Sequence, residues 1–150
     1  MIHHVVLHVI AKLLIPPILL FALYVQFHGD YGPGGGFQAG VLFASAFILY
    51  ALIHGVEVAR RVLPSGLIHT LMAVGLLLYA GVGVATMALG GNYLDYDVLG
   101  HGNHGQHLGI LLIELGVGIT VASVMITVFF CFAGRSRHTP DEESISHHRD

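Results

Sequence analysis

Long apolar stretches alternate along this chain with short polar or glycine-rich segments. Each stretch is at least as long as the roughly 20 residues that an α-helix needs to cross a hydrocarbon core of about 30 Å. The pattern predicts an all-α integral membrane protein, with four transmembrane helices in one domain (residues 1–135) and a polar tail (residues 136–150). The four predicted helices cover residues 5–27, 37–58, 67–89 and 108–133.

The composition favours a lipid environment over an aqueous one. Apolar residues make up 55% of the 150 residues and charged residues only 10%, whereas about 25% of a typical soluble domain is charged. A net charge of −3 offers no basic surface to a nucleic acid. We therefore expect membrane lipid around the chain and no nucleic-acid partner.

The distribution of lysine and arginine predicts the orientation of the helices. Segments 28–36 and 90–107 contain neither residue, whereas the segment after the second stretch and the C-terminal tail contain five arginines. Because positively charged segments stay in the cytoplasm, both termini and the tail are predicted to be cytoplasmic. The five residues are Arg60, Arg61, Arg135, Arg137 and Arg149.

The fourth stretch contains a carboxyl group, Glu114. At a rise of about 1.5 Å per residue it lies about 9 Å inside the hydrocarbon core, where a carboxylate needs a cation or takes up a proton. Glu114 therefore either handles an ion or proton, or pairs with a cation of another subunit, or stays protonated and hydrogen-bonds a neighbouring helix. His107 lies on the same helix face. The opposite face is a packing seam of small residues: Gly109, Gly116, Thr120, Ser123 and Thr127.

The first stretch contains a cation, Lys12, about 10 Å inside the core. Its stem can carry the ammonium group to the membrane surface, or the group can pair with a carboxylate of another protein. Lys12 and Glu114 lie toward opposite leaflets, so no direct pair is expected between them. Two intramembrane charges without a partner in the chain indicate that the protein belongs to a complex.

A glycine-rich segment joins the first two stretches. It lacks the Gly-Lys-Ser/Thr ending of a phosphate-binding loop, and no strand precedes it. We interpret it as a helix start and a subunit contact, with Asp30 available to free backbone N–H groups. Non-helical backbone that lines a cavity is the alternative. The residues assigned to this connection and contact are Pro33, Gly34, Gly35, Gly36, Phe37 and Gly40.

Three histidines at a spacing of three residues, His101, His104 and His107, precede or begin the fourth stretch. Histidine nitrogens are common zinc ligands, but glycines break this segment, so no helix presents the three side chains on one face. A hydrated loop without metal is the preferred interpretation, and no cofactor is expected. The sequence contains no nucleophile–base pair or paired catalytic carboxylates, so we do not expect an enzyme.

Two segments resemble a known family. Residues 30–40, DYGPGGGFQAG, resemble the glycine-rich motif of the B subunit of the multisubunit Mrp-type sodium/proton antiporters. Residues 109–121, GILLIELGVGITV, resemble the last helix of that subunit, and residues 93–96 fit its preceding loop. The resemblance covers roughly residues 8–133 and implies a multi-pass subunit of the bacterial cytoplasmic membrane.

The resemblance also implies a function and partners. The chain would belong to a hetero-oligomer that exchanges Na⁺ for H⁺, in which large antiporter-like subunits carry proton translocation. Small subunits such as this one would be needed for assembly and are candidates for the cation path. Related modules occur in membrane-bound hydrogenases, so a subunit of an energy-converting redox complex is the alternative. A stand-alone metal transporter or sensor would instead need metal binding by the three histidines.

Overall fold

The structure, a computed structural model, describes residues 2–29, 31–96 and 103–135. Helices account for most of these residues, and the described ranges contain no strand. The polar tail lies outside the described residues. The five helices are α1 (Ile2–His28), α2 (Gly36–His54), α3 (Val56–Val62), α4 (Ser65–Ala88) and α5 (Asn103–Arg135).

Four of the helices are long and apolar enough to cross a membrane, with mean hydropathies between 1.9 and 2.3. The predicted all-α fold with four spans is therefore confirmed. Helix α1 continues through Pro16 and Pro17, although each proline removes one hydrogen-bond donor from the helix. The candidate spans are Val5–His28, Gly36–His54, Ser65–Ala88 and Gly105–Gly134.

The prediction of one helix over residues 37–58 is wrong at its C-terminal end. Helix α2 ends at His54, and the short helix α3 begins at Val56. Between them Gly55 has a φ of +92° and a ψ of 147°, a backbone conformation that residues with a Cβ rarely adopt and that costs them about 1–3 kcal/mol. The apolar pattern continues across this position, so hydropathy alone could not reveal the break.

The fourth predicted helix, over residues 108–133, is longer in the structure. Helix α5 begins at Asn103 and ends at Arg135. Polar residues before position 108 continue the helical backbone although they interrupt the apolar pattern. Hydropathy thus marks the part of a helix that suits lipid and not the residues at which the helix begins and ends.

The four spans pack in the order α1, α2, α5, α4. Helices α2 and α5 form the centre of this row and run parallel, since Gly40 lies beside Gly118 and, further along both helices, Phe47 contacts Phe130. The two ring centroids are 6.1 Å apart. This register places the first turn of α2 beside a point well inside α5.

Small residues allow the helices of this row to approach closely. A Cβ added to Gly40 would lie 2.7 Å from the carbonyl oxygen of Gly118, and one added to Gly75 would lie 2.7 Å from that of Gly116. Two residues of the seam predicted on the last helix, Gly116 and Thr120, therefore pack against α4, as expected for small residues at helix contacts. A third, Gly109, packs against Tyr96 instead. The buried core at the other end of the central pair consists of Ala44, Ala51, Ala59, Ile68, Ile126 and Phe130.

Candidate functional site

The connection between α1 and α2, which we call the glycine turn (residues 29 and 31–35), folds back onto the end of α1. The backbone N–H groups of Tyr31 and Gly32 donate to the carbonyl oxygen of His28, at 3.0 and 3.1 Å. The N–H of Gly35 donates to Val25, one helical turn deeper, at 3.2 Å. Because Gly35 has a φ of +116°, it can turn the chain into α2 without the steric cost that a side chain would add.

Glu114 of α5 lies directly against this turn. A Cβ added to Gly29 would overlap Oε1 of the Glu114 carboxylate and lie 2.6 Å from Oε2, and one added to Gly35 would lie 3.0 Å from Oε1. A Cβ added to Gly36 would overlap the Glu114 carbonyl oxygen. Two glycines, Gly29 and Gly35, therefore leave space for the carboxyl group, and a third, Gly36, lies against the backbone of the same residue. We call these four residues the Glu114 pocket.

The position of the carboxylate also has an electrostatic consequence. Gly35 is the N-cap of α2, and no side-chain hydrogen bond from this residue caps the helix. The first backbone N–H groups of a helix carry a partial positive charge and lack partners within the helix. The Glu114 carboxyl group lies beside this positive end of α2. Asp30, the predicted capping residue, lies outside the described residues.

The remaining residues assigned to the glycine-rich segment divide into two groups. Gly35, Gly36 and Gly40 make close contacts within the chain, and a Cβ on Gly34 would lie 3.0 Å from the carbonyl oxygen of Val25. Pro33 is exposed, and Phe37 is 60% exposed. The glycines thus shape the chain itself, and a contact with another subunit remains a prediction for the two exposed residues.

A second polar side chain, which the sequence reasoning missed, lies one helical turn deeper. Gln26 of α1 is only 3% exposed, and its Oε1 would lie 2.5 Å from a Cβ on Gly118. On α1, Gln26 lies three residues before Gly29, and on α5, Gly118 lies four residues after Glu114. The Glu114–Gly29 and Gln26–Gly118 contacts therefore lie one helical turn apart, where α1 meets α5. The sequence did offer one signal for this residue, since a polar glutamine is unusual within an otherwise apolar stretch.

Aromatic and histidine rings extend from the glycine turn toward the start of α5. The rings of Tyr24 and His28 stack at 5.0 Å, and those of Tyr31 and His107 stack at 6.1 Å. His28 and Tyr31 connect the two pairs, at 6.3 Å. The structure thus places His107 in contact with Tyr31 of the glycine turn, against which Glu114 also lies.

The structure gives no support to a metal site within the residues it describes. In these ranges no group of three or more histidine, cysteine or acidic residues could hold a metal ion. The side chains of His101 and His104 lie outside the described residues, and His107 contacts Tyr31.

Lys12 lies far from the Glu114 pocket, on an exposed part of α1. Val5, His8 and Val9 surround it, and within the described part of the chain it forms no ion pair. About 17 residues of helix separate it from Gly29, which corresponds to about 25 Å at 1.5 Å per residue. The two intramembrane charges therefore do not neutralise each other.

Residues 93–96, which follow α4, are folded against the helices. The backbone N–H of Leu94 donates to the Thr86 hydroxyl at 3.0 Å, and Tyr96 fills the space beside Gly109. Burial raises the pKa of the Tyr96 phenol, and the neighbouring Tyr79 and Tyr93 raise it further. The Tyr96 phenol therefore remains uncharged beside Gly109.

Four apolar spans with a carboxylate held between them define a class of protein. Lipid-facing helices exclude water, and an ionisable group that they enclose indicates the handling of an ion, a proton or a charged partner. The fold and site thus belong to a multi-pass membrane protein of the kind found among transporters and their subunits.

Comparison with known proteins makes this class more specific. A family model described as "Domain related to MnhB subunit of Na+/H+ antiporter" matches residues 6–127. Relatives named "Putative antiporter subunit mnhB2" are 33% identical in Staphylococcus haemolyticus, 34% in Staphylococcus epidermidis and 36% in Staphylococcus aureus. Each alignment is 138 positions long and covers 87% of this chain and 94% of the relative.

The chain belongs to the family of domains related to the MnhB subunit of Na⁺/H⁺ antiporters. The resemblance predicted from residues 30–40 and 109–121 is therefore confirmed, and the protein is a multi-pass protein of the bacterial cell membrane. The family favours an antiporter subunit over the hydrogenase alternative and a transporter component over an enzyme.

Proposed function

We propose that this chain is a membrane subunit of a multisubunit Na⁺/H⁺ antiporter and that Glu114 is the charge through which it handles an ion or proton. The observation that carries the proposal is the Glu114 pocket, in which Gly29 and Gly35 leave space for one carboxyl group within a membrane span and Gly36 lies against the backbone of the same residue. A side chain at Gly29 or Gly35 would occupy the space of that carboxyl group.

The proposal includes an orientation. Arg60 and Arg61 lie on α3, between the second and third spans, and Arg60 donates to the carbonyl oxygen of Phe130 at 3.2 Å. The positive-inside rule places this end in the cytoplasm, together with both termini and the polar tail. The Glu114 pocket then lies toward the outer side of the membrane, where the chain would meet protons and cations from outside.

Partners follow from the exposed polar and aromatic groups within the spans. Lys12 is exposed among apolar neighbours, and a carboxylate on another subunit would neutralise it without exposing either charge to lipid. Phe37 and Pro33 supply an exposed apolar contact at the start of α2. We assign these surfaces to the other antiporter subunits, including the large antiporter-like ones, and place this chain among the components needed for assembly.

Substitution of Glu114 in the complete complex tests the proposal. Glu114→Gln keeps the size of the side chain and removes its charge, so native gels should show an assembled complex. Na⁺-dependent proton movement in inverted membrane vesicles, followed with a pH-sensitive dye, should fall about tenfold or more, which corresponds to a barrier raised by about 1.4 kcal/mol. Glu57→Gln, on the exposed face of α3, is the matched control. Wild-type transport by an assembled Glu114→Gln complex would refute the proposed role.

A further inference from the structure

A cavity with a mixed basic and apolar wall lies where α3, α4 and α5 meet. Its volume is about 320 Å³, which is within the range of ligand-binding cavities. At about 1.5 Å per residue, roughly 20 Å of α5 separates Thr127, on the wall of this cavity, from Glu114, so the cavity is distinct from the Glu114 pocket. Its wall includes Arg60, Ser65, Ile68, His69, Phe130 and Cys131.

Arg60 supplies a positive charge to this cavity. Its guanidinium donates to the carbonyl oxygen of Phe130 at 3.2 Å, and its Cζ atom lies 5.2 Å from the centre of the Phe130 ring. These contacts hold the group in place without neutralising it, and among the described residues it forms no ion pair. Its other N–H groups, the Ser65 hydroxyl and the His69 ring can donate to a ligand. The polar part of the cavity therefore suits an anion with several acceptor oxygens, such as phosphate.

The apolar part of the wall belongs to the membrane spans. Ser65 is the first residue of the span Ser65–Ala88, and Ile68 lies three residues further along it. Phe130 and Cys131 lie within the span Gly105–Gly134, four and three residues before its end. At about 1.5 Å per residue, these side chains line roughly the first 6 Å below the membrane surface. A free anion has no part that matches such a wall, whereas a phospholipid has acyl chains close to its phosphate.

We propose that this cavity binds one anionic phospholipid, with the phosphate beside Arg60 and the start of an acyl chain along Ile68 and Phe130. Basic pockets between membrane helices are known to bind such head groups. A zwitterionic lipid also has a phosphate, but its ammonium group would lie near the positive charge of Arg60, so an anionic head group is favoured. The orientation proposed above makes this a lipid of the cytoplasmic leaflet. The inference goes beyond the proposed function, because it does not depend on Glu114 or on the ion that Glu114 handles.

The reactivity of Cys131 tests the lipid site, since the only cysteine of the chain is exposed and lies on the cavity wall. The complete complex is reconstituted in nanodiscs of phosphatidylcholine with or without phosphatidylglycerol. Mass spectrometry then follows the modification of the Cys131 peptide by N-ethylmaleimide. Phosphatidylglycerol should slow this reaction in the wild type, because the bound lipid covers the thiol. In Arg60→Gln lipid binding should weaken about tenfold, the loss expected for one charged hydrogen-bonding group, and the slowing should disappear.

Arg61→Gln is the matched control. Arg61 is exposed on the same short helix and carries the same charge, but it does not line the cavity, so this variant should keep the slowing seen in the wild type. If both variants lose the slowing equally, general surface charge explains it and the proposal is overturned. Equal reaction rates of the wild type in the two kinds of nanodisc overturn it too.

Two further measurements identify the ligand and its position. Inorganic phosphate, added to the phosphatidylcholine nanodiscs at equal ionic strength, should not slow the reaction. Slowing as large as that by phosphatidylglycerol would mean that the cavity binds a free anion, and would overturn the proposal. If Arg60→Gln does not assemble, the wild type is crosslinked with phosphatidylglycerol that has a diazirine group next to its ester bonds. Crosslinks are expected within residues 127–131, and their absence there overturns the proposal.

Discussion

Alanine at position 36 tests the helix contact on which the Glu114 pocket depends. Gly36 is the first residue of α2, and its Cα faces the backbone of α5. An added Cβ would overlap the carbonyl oxygen of Glu114 and would lie 2.8 Å from the carbonyl carbon and 3.0 Å from Cα. All three atoms belong to the backbone, so no side-chain rotation can relieve the overlap. The two central helices must separate.

The expected cost follows from two opposing terms. Forcing one methyl group into a well-packed contact costs about 1–3 kcal/mol, whereas alanine gains up to about 1 kcal/mol over glycine as a helix former. Position 36 is at the start of the helix, where the gain is smallest. We therefore expect Gly36→Ala to lower the free energy of unfolding by about 2 kcal/mol, and to move the Glu114 carboxylate away from the glycine turn.

Unfolding of the purified chain by SDS in mixed micelles measures this free energy. Gly81→Ala is the control, since Gly81 is also a helix glycine but has no atom within 4 Å of its Cβ position. That variant should be unchanged, or more stable by up to about 1 kcal/mol. If Gly36→Ala is as stable as Gly81→Ala, then α2 and α5 do not meet closely at Glu114, and the description of the pocket is wrong.

Two further predictions concern positions outside the pocket. Lys12→Ala should reduce the amount of assembled complex on native gels. Lys12→Arg should retain it, because arginine preserves the charge for a partner carboxylate. Equal assembly of both variants would argue against that partner. Gly55→Ala should cost about 1–3 kcal/mol in the same SDS titration, since a φ of +92° strains any residue with a Cβ. Gly66→Ala, which also meets no atom within 4 Å, should cost nothing, and equal stability of the two variants would contradict a strained backbone at Gly55.

The membrane spans were the part of the fold that the sequence predicted best. Lipid imposes a simple requirement on composition over about 20 residues, so hydropathy identifies a span without knowledge of its neighbours. The break at Gly55 was missed because it depends on one backbone angle within a continuously apolar segment. The order of the helices in the row was also not predictable, since helix contacts depend on small surface details and not on hydropathy.

The candidate site was predicted in part. An ionisable residue in an apolar stretch is conspicuous, so Glu114 could be selected from the sequence alone. Its contact with Gly29, Gly35 and Gly36 could not, because the carboxyl group and the glycines are distant in sequence and only the parallel packing of α2 and α5 brings them together. Gln26 was overlooked since one amide changes the hydropathy of its stretch only slightly, and its burial is a tertiary property.

The contact between the first connection and the last helix has a consequence for how this protein is made. The ribosome adds about 80 residues between Gly36 and Glu114, which takes roughly 4–16 seconds at about 5–20 residues per second. During that interval α1, the glycine turn and α2 have been synthesised, but Glu114, which packs against the turn, has not. Until α5 enters the bilayer and brings Glu114 to the glycine turn, the backbone N–H groups at the start of α2 must be hydrated or covered by the insertion machinery.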